Sequence, residues 1–455
     1  MMEKTIAAIA TPHAVGGIAV IRVSGPEAIA VCDRCFQAVS GRPLSVLSGY
    51  HAAYGTVMDG RNPVDEAVAL VYRAPKSYTG EDVVEISCHG GIYITQEVLR
   101  IILRSGAVPA AAGEFTKRAF LNGRLSLTQA EAVMDLISSQ GQQSARAAVT
   151  AMQGALYRQI SAVKDSLVAV CGHLSAWADY PEEEIPAVGQ ESLLQTLSEA
   201  ESALEKLLRQ FDSGRLVRSG IRTVIAGKPN VGKSTLMNLL SGCQKSIVTE
   251  IAGTTRDVIE ETVQIDGLIL NLADTAGMRE TEDPVEQAGV ALSARKLEQA
   301  DLVLALFDSS LPFSAEDEQL IGRLEGKKTI AVINKTDLVQ RLDERQLTPY
   351  FDQIVRISAK QETGVKDLHN AITHLLKISD LDPNAPMLAN ERQRRAAVTA
   401  RQYIAEAKDA LVSGMTLDAV TISAESAVEA LLELTGERVT DAVVDEVFSH
   451  FCVGK

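Results

Sequence analysis

Gly227-Lys-Pro-Asn-Val-Gly232-Lys233-Ser234 matches GxxxxGK[ST], directly after the β-like run Thr223 to Ala226 and directly before the helical run Leu236 to Leu240. Strand, glycine-rich loop and helix in that order commit the surrounding chain to an α/β sheet ending in a phosphate cradle. The glycines let the loop curl so that its N–H groups face phosphate oxygens. Lys233 then neutralises the β and γ phosphates, and the Ser234 hydroxyl coordinates Mg²⁺. The loop residues Asn230, Val231, Gly232, Lys233, Ser234 and Thr235 are candidate nucleotide contacts.

Three companions stand in order at the ends of further β-like runs. Asp274, Thr275, Ala276 and Gly277 end the run Leu268 to Leu272, where a carboxylate holds magnesium's water and a glycine amide senses the γ phosphate. Asn334-Lys335-Thr-Asp337 ends Thr329 to Ile333, and Asp337 can accept two hydrogen bonds from guanine's N–H donors. Adenine offers no such pair, so the base is guanine. Ser358, Ala359 and Lys360, after Ile354 to Ile357, supply a further base contact. Together these motifs predict a GTPase. Many Ras-like GTPases place a water-orienting Gln right after the DxxG glycine; here that position is Met278, which cannot orient water. The acidic run Glu280, Glu282, Asp283 and Glu286 is the nearest pool of substitutes; by composition alone it reads as a solvated loop.

At 455 residues the chain is long enough for about three domains of ~150 residues each. Thr5 to about Arg118 mixes strand-like runs (Ile18 to Val23, Val83 to Ser87) with a helical one (Gln96 to Arg104), an α+β pattern. From Leu127 to Gln210 apolar residues recur at helical spacing, as in Leu193, Leu197, Ala200, Leu204 and Leu207. Phe211-Asp-Ser-Gly-Arg215 predicts a hinge before the nucleotide domain, and Asp266-Gly267 predicts a hairpin turn joining one antiparallel pair to a parallel sheet. After the Asp382-Pro-Asn-Ala-Pro386 linker a second helical stretch carries the stripe Val420, Ala424, Val428, Leu431 and Leu434. One helical domain interrupted by an α/β domain fits this order, with boundaries at 1–121, 122–214, 215–378 and 379–455.

A net charge of −15 argues against general nucleic-acid coating, so any basic patch is local. Arg392, Arg394, Arg395 and Arg401 form the one dense basic stretch of the helical half, and alone they read as a solvated helix face. No apolar run approaches the ~20 residues that span a bilayer, and the first residues lack a secretory pattern, which places the protein in the cytoplasm, away from membranes. Six scattered cysteines suit a reducing compartment; Cys32 and Cys35 read as small residues on a helix, with no second pair at metal-ligand spacing.

The motifs also carry a resemblance. Asn230, followed by Thr249-Glu-Ile-Ala-Gly-Thr-Thr255-Arg-Asp257, resembles the potassium-activated GTPases of the TrmE, Era and septin class. Ala10-Thr-Pro, Gly17-Ile-Ala-Val-Ile-Arg22-Val-Ser-Gly25, Ser77-Tyr-Thr-Gly-Glu-Asp-Val-Val-Glu85, His89-Gly-Gly91, Gly113-Glu-Phe-Thr-Lys-Arg-Ala-Phe-Leu-Asn122 and the tail Phe451-Cys452-Val453-Gly454-Lys455 resemble the tRNA-modification GTPase family MnmE (TrmE) along the whole chain. Val453 in the tail and Val231 in the phosphate loop are the minor departures.

The resemblance implies an α+β N-terminal folate-binding and dimerisation domain, a discontinuous all-α helical domain and an inserted Ras-like α/β G domain. It implies that the Asn230 side chain, the carbonyls of Thr249 and Ile251, and Thr254 bind K⁺ beside the phosphates, where the ion replaces an arginine finger. Thr255 would complete the Mg²⁺ shell with Ser234, the neighbouring Glu250, Ala252 and Gly253 would line the nucleotide, and Glu286 would act through a water as the catalytic glutamate. Arg22, Glu85, Arg124 and Lys455 would bind a tetrahydrofolate derivative, in its formyl or methylene form, with Cys452 as a catalytic cysteine. The family works as a homodimer with an FAD-dependent partner, MnmG (GidA), to install an aminomethyl or carboxymethylaminomethyl group at carbon 5 of the tRNA wobble uridine. A ribosome-assembly GTPase of the same superfamily is the competing expectation; the tail and the folate-type motifs favour the modifying enzyme.

Overall fold

The computed structural model describes residues 4–179, 189–243, 261–274, 295–379, 381–382 and 384–455. Alternation organises the first sheet. In Ile18–Ser24 (β2), Ala19, Ile21 and Val23 are buried while Val20 and Arg22 turn to the other face, the period of two that a strand imposes. Asn62–Tyr72 (β5) and Val83–His89 (β6) repeat it. With Ile6–Ile9 (β1), Phe36–Ala38 (β3), His51–Asp59 (β4) and Val108–Pro109 (β7), they form a seven-stranded sheet ordered β3-β4-β5-β6-β2-β1-β7. Register sets Arg22 directly opposite Glu85, and Glu85 opposite Leu70.

Ala28–Asp33 (α1) and Ile92–Arg104 (α2) pack Val31, Val98, Ile101 and Ile102 on one face of that sheet. Cys32 lies on α1 in this core. Cys35 lies just beyond the helix end, a correction to the expectation that both cysteines are helical. Burial pushes both thiols up, away from the thiolate that metal binding or redox exchange needs. Glu114–Leu121 (α3), Leu127–Ser138 (α4) and Asp441–Ser449 (α13) close a smaller core of Leu127, Val444, Phe448 and Phe451. The residues Met1–Met134, Ile160–Val168 and Glu425–Lys455 make one unit; Asp135–Gln159 and Ala169–Ala424 make the other.

The second unit holds a six-stranded sheet of Ile221–Gly227 (β8), Glu261–Ile265 (β9), Leu268–Asp274 (β10), Leu302–Asp308 (β11), Thr329–Asn334 (β12) and Ile354–Arg356 (β13). Its order is β13-β12-β11-β8-β10-β9, parallel except for the β9–β10 hairpin turned by Asp266-Gly267. Every residue of β11 and β12 is buried, because helices cover both faces of a parallel sheet. Ile225, Leu304 and Val332 feed one core and Val224, Ala305 and Ile333 the other. Lys233–Cys243 (α8), Ala315–Arg323 (α9) and Val365–Leu375 (α10) are among the covering helices.

Helices Gln142–Met152 (α5), Ala155–Asp179 (α6), Gln190–Ser219 (α7), Glu391–Val412 (α11) and Leu417–Thr435 (α12) supply the expected helical stretches. The stripes Leu193 to Leu207 and Val420 to Leu434 are buried at their expected positions, Val428 only partly.

The expected hinge at Phe211–Arg215 is absent: α7 runs through it to Ser219. A mid-helix glycine costs only about 1 kcal/mol, and the packing here offsets it. Gly214 sits where a Cβ would lie 3.2 Å from Met387 Sδ, and Ser213 Oγ donates to the Leu376 carbonyl at 3.0 Å. Arg215 Nη2 and Arg222 Nε then donate to the Asp301 carboxylate at 2.8 and 2.9 Å. Burial pushes that carboxyl up, but the two arginines outweigh it and hold Asp301 below the usual range.

On α11, Arg394 pairs with Glu391 at 3.2 Å and lies 5.6 Å over the Phe211 ring, and Arg401 stands 3.9 Å from Glu205. Only the first of these pairs lies within α11; Phe211 and Glu205 belong to α7, so part of the basic stretch packs on a neighbouring helix. Among the described residues no helix is long and apolar enough to cross a membrane.

Candidate functional site

The phosphate loop leaves the end of β8 and enters α8. Asn230 and Gly232 both take positive φ, 62° and 99°, the local curl that turns successive N–H groups inward. A Cβ on Gly232 would stand 2.3 Å from Asn334 Nδ2, so only glycine fits. Lys233 Nζ donates to the carbonyls of Gly227 at 2.8 Å and Lys228 at 2.9 Å. Ser234 and Thr235 are exposed in the first turn of α8. A hydroxyl there suits a Mg²⁺ that keeps most of its waters.

The base motifs are stitched to this loop. Asn334 is 2% exposed; its Nδ2 donates to the Val231 carbonyl at 2.9 Å and its Oδ1 accepts from the Ala359 N–H at 3.0 Å. Lys335 Nζ donates to the Asn230 carbonyl at 2.7 Å and to Asp308 Oδ2 at 2.6 Å. It thereby steadies a left-handed backbone that asparagine tolerates better than most residues.

Asp337 Oδ1 accepts from Ser358 Oγ at 2.6 Å, and that bond, aided by Lys360 and Lys335, holds its carboxyl below the usual range. An ionised Asp337 is the double acceptor that guanine requires. The sequence reading missed Asp308, which lies 27 residues before Lys335 and matches no spacing rule.

Asp274 closes β10 in register with Ile225 of β8. Thr249, Glu250, Ile251, Ala252, Gly253, Thr254 and Thr255, then Thr275, Ala276 and Gly277, and Glu286 with its acidic neighbours, lie outside the described residues.

A second constellation stands on the face of the first sheet opposite α1 and α2. Arg22 Nε donates to Glu85 Oε1 at 2.8 Å, and Tyr72 Oη reaches Glu85 Oε2 at 3.3 Å. The Arg22 guanidinium lies 5.3 Å over the Tyr78 ring and 5.6 Å over Phe115. The chain's last residues reach the same place. Arg22 Nη1 donates to the Gly454 carbonyl at 3.3 Å, Val453 bridges Ala112, and a Cβ on Gly454 would lie 2.3 Å from the Ile9 carbonyl.

Burial and Arg22 together push the Lys455 ammonium down, while Glu85 and Cys452 oppose that shift. Two cations around one carboxylate make a half-buried, net positive cluster, suited to an anionic ligand with a polar edge for Glu85. Arg124 is exposed on the α3–α4 turn beside Gly80, and among the described contacts none joins it to Arg22. Tyr72 on β5, Tyr78 in the β5–β6 loop and Phe115 on α3 were not singled out as site residues, because single aromatic residues read as core.

Two family descriptions match the chain: the GTP-binding protein TrmE N-terminus over residues 5–124 and the MnmE helical domain over residues 127–452. The tRNA modification GTPase MnmE of Heliobacterium modesticaldum is 42% identical over 466 residues, spanning 100% of both chains. That of Acetivibrio thermocellus is 40% identical over 461 residues, covering 100% of this chain and 99% of its own. Among solved structures, Aquifex aeolicus Era bound to GDP and AlF4⁻ is 27% identical over 40% of this chain and 65% of its own, with a TM-score of 0.28. With the phosphate loop, the guanine motifs and full-length relatives in agreement, this chain belongs to the MnmE family of tRNA modification GTPases.

Proposed function

We propose that this GTPase uses potassium-dependent GTP hydrolysis to drive addition of an aminomethyl or carboxymethylaminomethyl group to carbon 5 of the tRNA wobble uridine, with a folate one-carbon unit as carbon donor. The observation that carries the modification half is the meeting of Gly454 and Lys455 with Arg22 and Glu85, residues from opposite ends of the chain, in one cluster. A GTP switch alone has no use for it.

In this reading Ser234 and Thr255 hold Mg²⁺, and the Asn230 side chain, the Thr249 and Ile251 carbonyls and Thr254 hold K⁺. A cation held by these residues would supply positive charge to offset the negative charge that develops on the phosphates. Asn230 fits this role, since Lys335 secures its carbonyl and leaves the side chain free for an ion. Glu286 orients the attacking water in place of the glutamine that Met278 displaces. Glu85 takes the amino edge of a pterin, Arg22, Arg124 and Lys455 meet its glutamyl carboxylates, and Cys452 acts at the reacting carbon.

The protein works in the cytoplasm as a homodimer, with the FAD-bearing partner MnmG (GidA) supplying flavin and much of the tRNA surface. The half-open sheet face that carries Arg22 also exposes Ile18, Tyr54 and Val68, at 70%, 54% and 38%, which suits a covered interface. The four domain segments, with the G domain inserted at 215–378 into the helical domain, belong to the same proposal.

GTP turnover of the wild type and of Glu286→Ala, each in K⁺ and in Na⁺, tests the hydrolytic half. Wild type is expected to gain at least about tenfold from K⁺, and Glu286→Ala to lose roughly a thousandfold in kcat while keeping its GTP affinity. Equal rates in the two salts, or normal hydrolysis in the variant, refute this mechanism.

A further inference from the structure

Lys228 is the second residue of the phosphate loop, and neither the family motif nor the roles above use its side chain. That side chain points away from the cradle. Its Nζ donates to Asp317 Oδ2 at 2.6 Å and to Ser314 Oγ at 2.9 Å, at the start of α9. The two side chains are 15% and 4% exposed, so the pair is largely desolvated.

Asp317 Oδ2 also accepts from the Ser314 N–H and Oγ, both at 3.0 Å, in the capping box that opens α9. A carboxylate so deeply placed needs a cation, and the described partner is Lys228. Its ammonium is therefore committed to α9.

The backbone of the same residue serves the phosphates. The Lys228 carbonyl, with that of Gly227, accepts from Lys233 Nζ. One residue thus fastens α9 through its side chain and meets the phosphate-binding lysine through its main chain. Two residues further along the loop, Lys335 with Asp308 secures the Asn230 carbonyl. The first half of the loop is pinned at two points by aspartate–lysine pairs, and both aspartates flank the connection from β11 to α9.

We propose that Lys228 and Asp317 are positioning residues of the GTPase site: their ion pair fixes the entry of the phosphate loop so that its N–H groups and Lys233 are preorganised for the nucleotide phosphates, while Lys228 itself touches no phosphate. A loop already in its bound shape loses less conformational freedom on binding. Releasing the tether weakens nucleotide binding chiefly through faster dissociation.

The test measures dissociation of a fluorescent GDP analogue and steady-state GTP kinetics on the full-length protein. Lys228→Met is expected to raise both the dissociation rate and KM by about tenfold, with kcat changed by less than about threefold. Lys228→Arg should restore near-normal values, and Lys228→Met combined with Asp317→Asn should be no worse than Lys228→Met alone, since both remove one interaction. Lys228→Met leaves the capping box of α9 intact, so this variant carries the test even if Asp317→Asn folds poorly. Unchanged dissociation in Lys228→Met, or multiplying effects in the double variant, overturns the proposal. So does tighter binding in Asp317→Asn, the result expected if a freed Lys228 reached the phosphates.

Discussion

Asp337→Asn is expected to cut GTP affinity by about three orders of magnitude and to confer binding and hydrolysis of xanthosine triphosphate. Two charge-assisted bonds from guanine N1–H and its amino group are at stake, each contributing about 1.5–3 kcal/mol. An asparagine amide would set its NH₂ against the guanine amino group, leaving two donors face to face. Xanthine carries a carbonyl there, which that NH₂ can satisfy while Oδ1 keeps the N1–H.

The site is prepared for the carboxylate form. Ser358 Oγ donates to Asp337 at 2.6 Å and holds its pKa down, and the Asn334–Ala359 bond fixes the Ser358 loop beside it. Calorimetric titration with both nucleotides reads the switch directly, and a variant that still prefers GTP would contradict this assignment of the base contact.

Glu85→Ala is expected to weaken tetrahydrofolate binding by about a hundredfold and to abolish wobble-uridine modification. One charge-assisted bond to the ligand is lost, at roughly 1.5–3 kcal/mol, and a like-charge contact is also unmasked. Glu85 lies between Arg22 and the neighbourhood of Lys455, whose ammonium burial and Arg22 already push down. With the carboxylate gone only Cys452 still opposes that repulsion, so the Lys455 ammonium is pushed further down. Equilibrium dialysis with tetrahydrofolate checks the binding; unchanged affinity would remove Glu85 from the site.

What could be read from sequence follows the reach of the physics involved. The phosphate loop and the base motifs were legible because strand, loop and helix are contiguous there and the chemistry tolerates few residue types. Long-range partners were not. Asp317 stands 89 residues from Lys228 and Asp308 stands 27 from Lys335, separations that no local pattern encodes.

Within Ser77 to Glu85 the residue pattern, without the family resemblance, does not separate the proposed ligand residue Glu85 from structural ones. Thr79 and Ser24 share a 2.7 Å bond, and Glu81 accepts from Ser24 at 2.6 Å and from Arg118 at 3.1 Å. These buried groups hold the segment in place, while Glu85, two strand positions beyond Val83 on β6, faces Arg22. The false hinge at Phe211–Arg215 has a comparable cause. Asp, Ser, Gly and Arg in succession look like a linker until Met387, Leu376 and Asp301 arrive from other parts of the chain to pack against them.

Mass spectrometry of the wobble uridine, in tRNA from cells lacking this gene and rescued with wild type or with Cys452→Ser, bears most directly on the claim that the chain is a tRNA-modifying GTPase. The expected result is loss of the carbon 5 aminomethyl-type groups in the deletion strain, restored by wild type and not by Cys452→Ser. Unchanged uridine in the deletion strain would contradict the claim and put a ribosome-assembly role in its place.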